Sequence, residues 1–446
     1  MTAFTALAGG LRDRLRDADR MDAAAAFAIR VSGAGLTLLS QLIAARWLGL
    51  AGFGAFSNAW VWAALAAALA QAGLASTTTR FASAYRTQDD RQSLLGLILF
   101  SQAVAFGLGL VAMLATMLIA TRPAIGLGPA QIDALLVGAL AVPLLAQIDI
   151  GKGLTRAAGS AALAYLPGML LRPALLLAGI AALIGIGAAA DAATAMWASL
   201  VAVIGAWIIQ WAIATWRLRS AWRVWPPSWQ KRRWSGVSAG VLVSDAYLLI
   251  VASVDIFLLN ILASPETGGA YFAAAKLAAL TSYVFFAVSA VAQGRLAALA
   301  AQGASDRFEE TSRRFCGLTL WPTLAAATGL ALAGPFLLDL FGAGFREASG
   351  PLLLLIAAYI VQATTGPIRV LLIMTDHQKH LALLLTACAV LCIGLNLVLI
   401  PALGIWGAAW AFFATTTAAS LSMALLARRS LGFWCVPLVT RARRDA

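Results

Sequence analysis

Twelve apolar runs, each long enough to cross a bilayer as a helix, follow one another along the chain with short polar breaks between them. A helical span needs about 20 residues. The runs occupy approximately residues 24–47, 53–75, 93–120, 132–151, 161–184, 191–215, 236–262, 269–294, 314–341, 350–374, 381–402 and 405–427. Their length favours helices over barrel strands, because a helix satisfies its own backbone in hydrocarbon. The longest break, "WRLRSAWRVWPPSWQKRRW" (Trp216 to Trp234), leaves six runs on either side. The pattern predicts an all-α polytopic membrane protein of twelve transmembrane helices in two six-helix lobes. Residues 1–22 read as a cytoplasmic amphipathic segment, with Leu7, Leu11 and Leu15 four apart. Residues 23–215 form the expected N-lobe, 216–235 a cytoplasmic linker, 236–428 the C-lobe and 429–446 a basic cytoplasmic tail.

Composition agrees with that pattern. Of 446 residues, 61% are hydrophobic and 11% charged, against about 25% charged in a soluble domain. The net charge of +13 invites a nucleic-acid reading, but its distribution argues otherwise. With both termini inside, 25 of the 32 lysines and arginines fall in inner loops and tails. Only Arg46, Arg122 and Arg346 fall outside. Such a bias orients a membrane protein with both ends in the cytoplasm. The tryptophans of the central break (Trp222, Trp225, Trp229, Trp234) lie among bases, as in an interfacial belt facing lipid phosphates. The expected partners of this surface are membrane lipids, with no nucleic acid.

The halves are related. A shift of 215 positions lays "LGLAGFGAFSNAW" on "ASPETGGAYFAAA", so Gly54 meets Gly269, Ala55 meets Ala270 and Phe56 meets Tyr271. It also lays Arg80 on Arg295 and Arg30 on Asp245. Six spans per half make the repeat parallel, with its axis along the membrane normal. A transporter with its site between the halves follows.

"ARWLGLAGFGAF" resembles the LG-x-x-G-F/Y-G turn of the oligosaccharide and O-antigen flippases. "SPETGGAYFAAAKLA" is similar to the opening of their second half, and "LNLVLIPALGIWGAAWA" (Leu395 to Ala411) to a late segment. These belong to the polysaccharide-transport branch of the multidrug/oligosaccharidyl-lipid/polysaccharide superfamily. The resemblance implies two lobes around a central cavity, working by alternating access in the bacterial cytoplasmic membrane. It implies an undecaprenyl-pyrophosphate-linked oligosaccharide, a polyprenyl pyrophosphate, as cargo, moved to the outer leaflet for O-antigen, capsule or exopolysaccharide synthesis. Polysaccharide polymerase or export machinery would be partners. Lipid II flippases of the superfamily usually have fourteen spans, not twelve.

Four bases remain inside the spans, and such charges usually face a cavity or a partner. Arg172 lies near the midplane between Pro167 and Pro173, with no acid expected at its depth in its half. It either meets pyrophosphate with its guanidinium fork or satisfies carbonyls that the prolines free. Arg30 and Asp245 either form a gate pair broken by anionic cargo, form a permanent pair, or leave Arg30 snorkelling. Lys276 and Asp255, on neighbouring spans, are an ion pair, or Asp255 is a coupling carboxylate for H⁺ or Na⁺. Arg369, near the inner end of its span, snorkels or lines the cavity. Arg172, Arg30 and Arg369 are thus the candidate substrate-binding residues, and Asp245, Asp255 and Lys276 the candidates for gating or coupling.

No cofactor is expected, and no nucleophile–base arrangement points to an enzyme. "GKGLTR" (Gly151 to Arg156) lacks the spacing of a phosphate-binding loop. His377 and His380 form an H-x-x-H without a glutamate on a cytoplasmic turn, which reads as loop chemistry rather than a metal site. Two rivals stand beside the flippase. One is a multidrug and toxic compound extruder driven by cations. The other is a membrane glycosyl polymerase, which the short outer loops disfavour.

Overall fold

A computed structural model describes residues 2–123, 126–283, 305–374 and 378–431, with single positions 285, 288 and 292. No strand occurs among the described residues. The helices are α1 (Thr2–Ala70), α2 (Leu74–Thr87), α3 (Arg91–Ala120), α4 (Pro129–Ala157) and α5 (Ala161–Tyr165). They continue as α6 (Arg172–Gly185), α7 (Ala192–Arg217), α8 (Lys231–Leu262), α9 (Pro265–Ala278) and α10 (Ser305–Asp339). The last four are α11 (Ser349–Thr364), α12 (Ile368–Met374), α13 (Gln378–Leu403) and α14 (Ile405–Leu431). The basic tail expected at 429–446 lies outside the described residues from 432 onward, and nothing is described of side chains 2–20. Arg295 and His377 also lie outside the described residues.

Among the described residues, nine helical stretches are long and apolar enough to cross a membrane. One of them, Met21–Ala70, holds the first two expected spans. They meet at Gly49, whose φ of 69° suits a residue without Cβ. The seventh and eighth expected spans fall on α8 and α9, and the eighth runs on beyond the described residues. Helix starts follow simple chemistry. Asp90, Ser160, Asp191 and Ser264 each accept a backbone N–H three residues ahead, at 3.0, 3.3, 2.8 and 3.2 Å. A cap of this kind contributes about 1 kcal/mol.

The chain separates into two compact units. The first contains residues 1–44, 62–124 and 132–242, and the second 45–61, 125–131 and 243–446. In the first unit, alanine and leucine faces of α2, α3 and α4 close around Leu97, Ile98, Val142 and Ile150. The segment before α8 is fastened to this core. Trp234 is fully buried and donates through Nε1 to the Tyr85 hydroxyl at 3.0 Å. Tyr85 donates to Gln230 Oε1, and Gln230 Nε2 donates to Ser93 Oγ, both at 3.1 Å. The Ser228 amide donates to the Gln92 carbonyl at 3.0 Å. Trp222, Trp225 and Trp229 stay exposed, as a membrane-facing belt requires.

The second unit is centred at one end on Phe53. Its ring packs against Phe272, Phe341 and Phe345 at centroid distances of 5.8, 6.3 and 5.7 Å. Arg46 Nε donates to the Leu340 carbonyl at 2.6 Å. At the other end Phe315, Leu371, Leu381 and Leu385 close a second cluster.

Small residues let helices approach closely. A Cβ at Gly33 would lie 2.2 Å from the Met169 carbonyl oxygen, whereas one at Gly35 would meet nothing within 4 Å. Gly33→Leu is therefore expected to lower the unfolding midpoint of the detergent-solubilised protein, overpacking costing about 1–3 kcal/mol. Gly35→Leu should leave the midpoint near that of wild type.

Candidate functional site

In the first unit, α5 does not run straight into α6. Between them Leu166–Leu171 form a π-helical turn. Pro167 sits inside that turn and Pro173 follows Arg172, so two backbone amides are missing within seven residues of chain. A carbonyl left over in hydrocarbon needs a donor. Arg172 supplies one: its Nε donates to the Gly168 carbonyl at 3.3 Å. The side chain is half-buried. Asp149 of α4 also acts electrostatically on Arg172. Asp149 is shared, since Lys152 Nζ lies 2.5 Å from its Oδ1. The linear sequence hid this because Asp149 belongs to a different helix, twenty-three positions away.

Arg30 comes to the start of the same irregular segment. Its guanidinium carbon lies 4.0 Å from the centroid of the Tyr165 ring, a cation–π contact worth about 0.5–2 kcal/mol. The buried Nε of Arg30 has no hydrogen-bond partner. The charge of Arg156 also reaches Tyr165, while Arg156 Nη2 donates to Thr79 Oγ1 at 3.0 Å. Asp22 fixes the start of α5, accepting from Ser160 Oγ and from the amides of Ala161 and Ala162 at 2.9, 2.6 and 3.3 Å. Arg156 and Tyr165 were not among the sequence candidates. The α4–α5 turn brings them together through Gly159 at φ 83°. The other member of the expected gate pair, Asp245, has its side chain outside the described residues.

In the second unit, Asp255 is 4% exposed. Its Oδ2 accepts the Tyr271 hydroxyl at 2.6 Å and its Oδ1 accepts the Ile256 amide at 2.8 Å. Lys276 acts on this carboxylate electrostatically, and its Nζ lies 4.9 Å from the Phe272 ring centroid. Asp255 and Lys276 both line a small pocket of 110 Å³. Sequence reasoning missed Tyr271 as the donor to Asp255, although the 215 shift had already marked that position.

A larger cavity of 390 Å³ shares Tyr359 and Phe412 with the small pocket. Those two rings lie 5.7 Å apart and stand between the two spaces. Tyr247, Phe285, Gln362 and Arg369 line the larger one, so Arg369 does reach a cavity wall. Aromatic faces, an amide and one cation suit a ligand that is part ring, part polar and part anionic. Among the described residues, no cluster of three or more His, Cys, Asp or Glu side chains could hold a metal.

Residues 22–293 match the family of "Polysaccharide biosynthesis protein". No curated protein matches this sequence. Among solved structures, the chain is similar to the inward-facing conformation of a multidrug resistance MATE family transporter of the MOP superfamily. The TM-score is 0.76 at 15% identity, covering 91% of this chain and 98% of that one. It is also similar to a MOP superfamily transporter from Pyrococcus furiosus, described as having a binding pocket of reverse polarity that suggests a different function. There the TM-score is 0.64 at 17% identity, covering 93% and 96%. Identities this low show a shared fold. The chain is a multi-pass membrane protein that belongs to the polysaccharide biosynthesis family, with the fold of the MOP superfamily transporters.

Proposed function

We propose that the protein carries polyprenyl-pyrophosphate-linked oligosaccharide from the inner to the outer leaflet of a bacterial cytoplasmic membrane, by alternating access of two six-helix lobes (23–215 and 236–428). Both termini face the cytoplasm. The observation that carries the reading is Arg172, a cation held at mid-span by a π turn in a chain of the polysaccharide biosynthesis family. An arginine there costs about 2.5–3.5 kcal/mol on insertion scales. A guanidinium fork can pair two oxygens of a pyrophosphate, which a neutral donor cannot. Arg30, with a buried donor unpartnered, and Arg369, on the wall of an aromatic cavity, supply further positive charge.

The cargo's polar head is what cannot cross lipid. Cations and hydrogen-bonding groups replace water around pyrophosphate and sugar while the prenyl tail stays in the bilayer. An inside-negative potential helps each negative charge outward by about 2.3 kcal/mol per 100 mV. Asp255, buried and bonded to Tyr271, is the proposed coupling carboxylate, and Lys276 its electrostatic partner. No covalent step is assigned. A drug extruder is the second reading, favoured by the MATE transporters of like fold and by the same carboxylate.

The test is accumulation of polyprenyl-linked oligosaccharide on the cytoplasmic side in a deletion strain. Wild type should clear it and Arg172→Ala should not, at equal membrane levels, while Arg172→Lys restores part of the export. Full clearance by Arg172→Ala would overturn the cation's role. No accumulation, with new sensitivity to cationic dyes, would replace the flippase by the extruder. Separately, Tyr271→Phe should lower the unfolding midpoint in detergent, since a hydrogen bond to a charged group contributes about 1.5–3 kcal/mol. Asp255→Asn, which still accepts from Tyr271, should cost less stability and yet slow export.

A further inference from the structure

We propose that Arg30, Arg156 and Tyr165 hold the phosphate of an inner-leaflet lipid, at a site separate from Arg172. Such a site rests on the membrane orientation proposed above, and not on which cargo is carried. Three helices of the first unit bring the residues together. Arg30 is on α1, Arg156 is next to the last residue of α4, and Tyr165 ends α5. The Arg30 guanidinium carbon lies 4.0 Å from the Tyr165 ring centroid, and the charges of both arginines act on that tyrosine. Two cations with one shared neighbour repel each other and call for an anion.

Among the described residues, neither arginine forms an ion pair. The nearby carboxylate, Asp22, is committed to Ser160 Oγ and the amides of Ala161 and Ala162. Each arginine has a buried Nε without a hydrogen-bond partner. Both side chains are also partly exposed, so a ligand reaches them from outside the fold. The frame is built beforehand: Arg156 Nη2 donates to Thr79 Oγ1 at 3.0 Å, and Arg86 Nη1 donates to the Ala157 carbonyl.

Depth selects the ligand. Tyr165 lies four residues beyond Ala161, the first of α5, or about 6 Å by helix rise. That is headgroup depth, whereas Arg172 lies seven residues further along the chain, about 10 Å deeper. A helical side chain leans toward the N-terminus of its helix, here the inner surface, so Arg30 delivers its charge to the same level. Guanidinium forks pair phosphate oxygens, and basic pockets between spans on the cytoplasmic side hold lipid headgroups.

The test adds phosphatidylglycerol or geranylgeranyl pyrophosphate to purified full-length protein in detergent, and native mass spectrometry counts the lipid retained. Arg30→Gln with Arg156→Gln should retain several-fold less than wild type. Arg122→Gln with Arg346→Gln removes the same charge elsewhere and should retain as much as wild type. Loss confined to one probe names the source of the phosphate, a resident phospholipid or a polyprenyl pyrophosphate, and loss of both names the phosphate itself. Undiminished retention of both, or equal loss in the control pair, would overturn the proposal. If the Arg30 and Arg156 pair does not fold, wild type decides. There the lipids should slow phenylglyoxal modification of Arg30 and Arg156 several-fold, and unchanged modification with both would overturn the site. Failure of wild type to clear lipid-linked glycan would refute the cargo and leave this site standing.

Discussion

Hydrocarbon offers no water, so every polar group inside it must find its partner within the protein. That constraint shapes the irregular features of this chain. Two prolines six residues apart turn part of the fifth span into a π turn, and Arg172 bonds one of its carbonyls. A buried carboxylate appears with a tyrosine hydroxyl at 2.6 Å. Arg30 lies on an aromatic ring. Each charge is tethered by a contact within the protein.

Close packing is the second consequence. Between helices in lipid, burial of apolar surface drives little, and small residues that bring backbones together take over. Gly33 against Met169, Gly96 against Ser228 and Gly54 against Pro265 are such approaches, each leaving no room for a Cβ. The first ties α1 to the π turn that carries Arg172. The second, with the Ser228 amide bonded to the Gln92 carbonyl, holds the tryptophan-rich segment to the first unit. The third sits where the repeat-related segments meet.

Much of this was legible in the sequence because length, hydropathy and loop charge are linear properties. The apolar runs, the all-α class and the family motifs needed no tertiary information. Glycines 54 and 269 could be paired by the 215 shift, yet nothing linear said that they touch. Tyr165 under Arg30 and Tyr271 on Asp255 are contacts between different helices, and their offsets follow no helical period. The π turn was hinted at by Pro167 and Pro173. That Arg172 reaches the Gly168 carbonyl within it is visible only in three dimensions.

The central claim is that an anionic, sugar-bearing lipid crosses the bilayer through this protein. The most direct measurement places purified protein in vesicles containing polyprenyl-pyrophosphate-linked oligosaccharide and adds an impermeant glycosidase outside. The account predicts that cleavage proceeds past the outer-leaflet pool as inner-leaflet lipid is delivered, and stops at that pool in vesicles without protein. Cleavage that stops at the outer-leaflet pool in both preparations would contradict it.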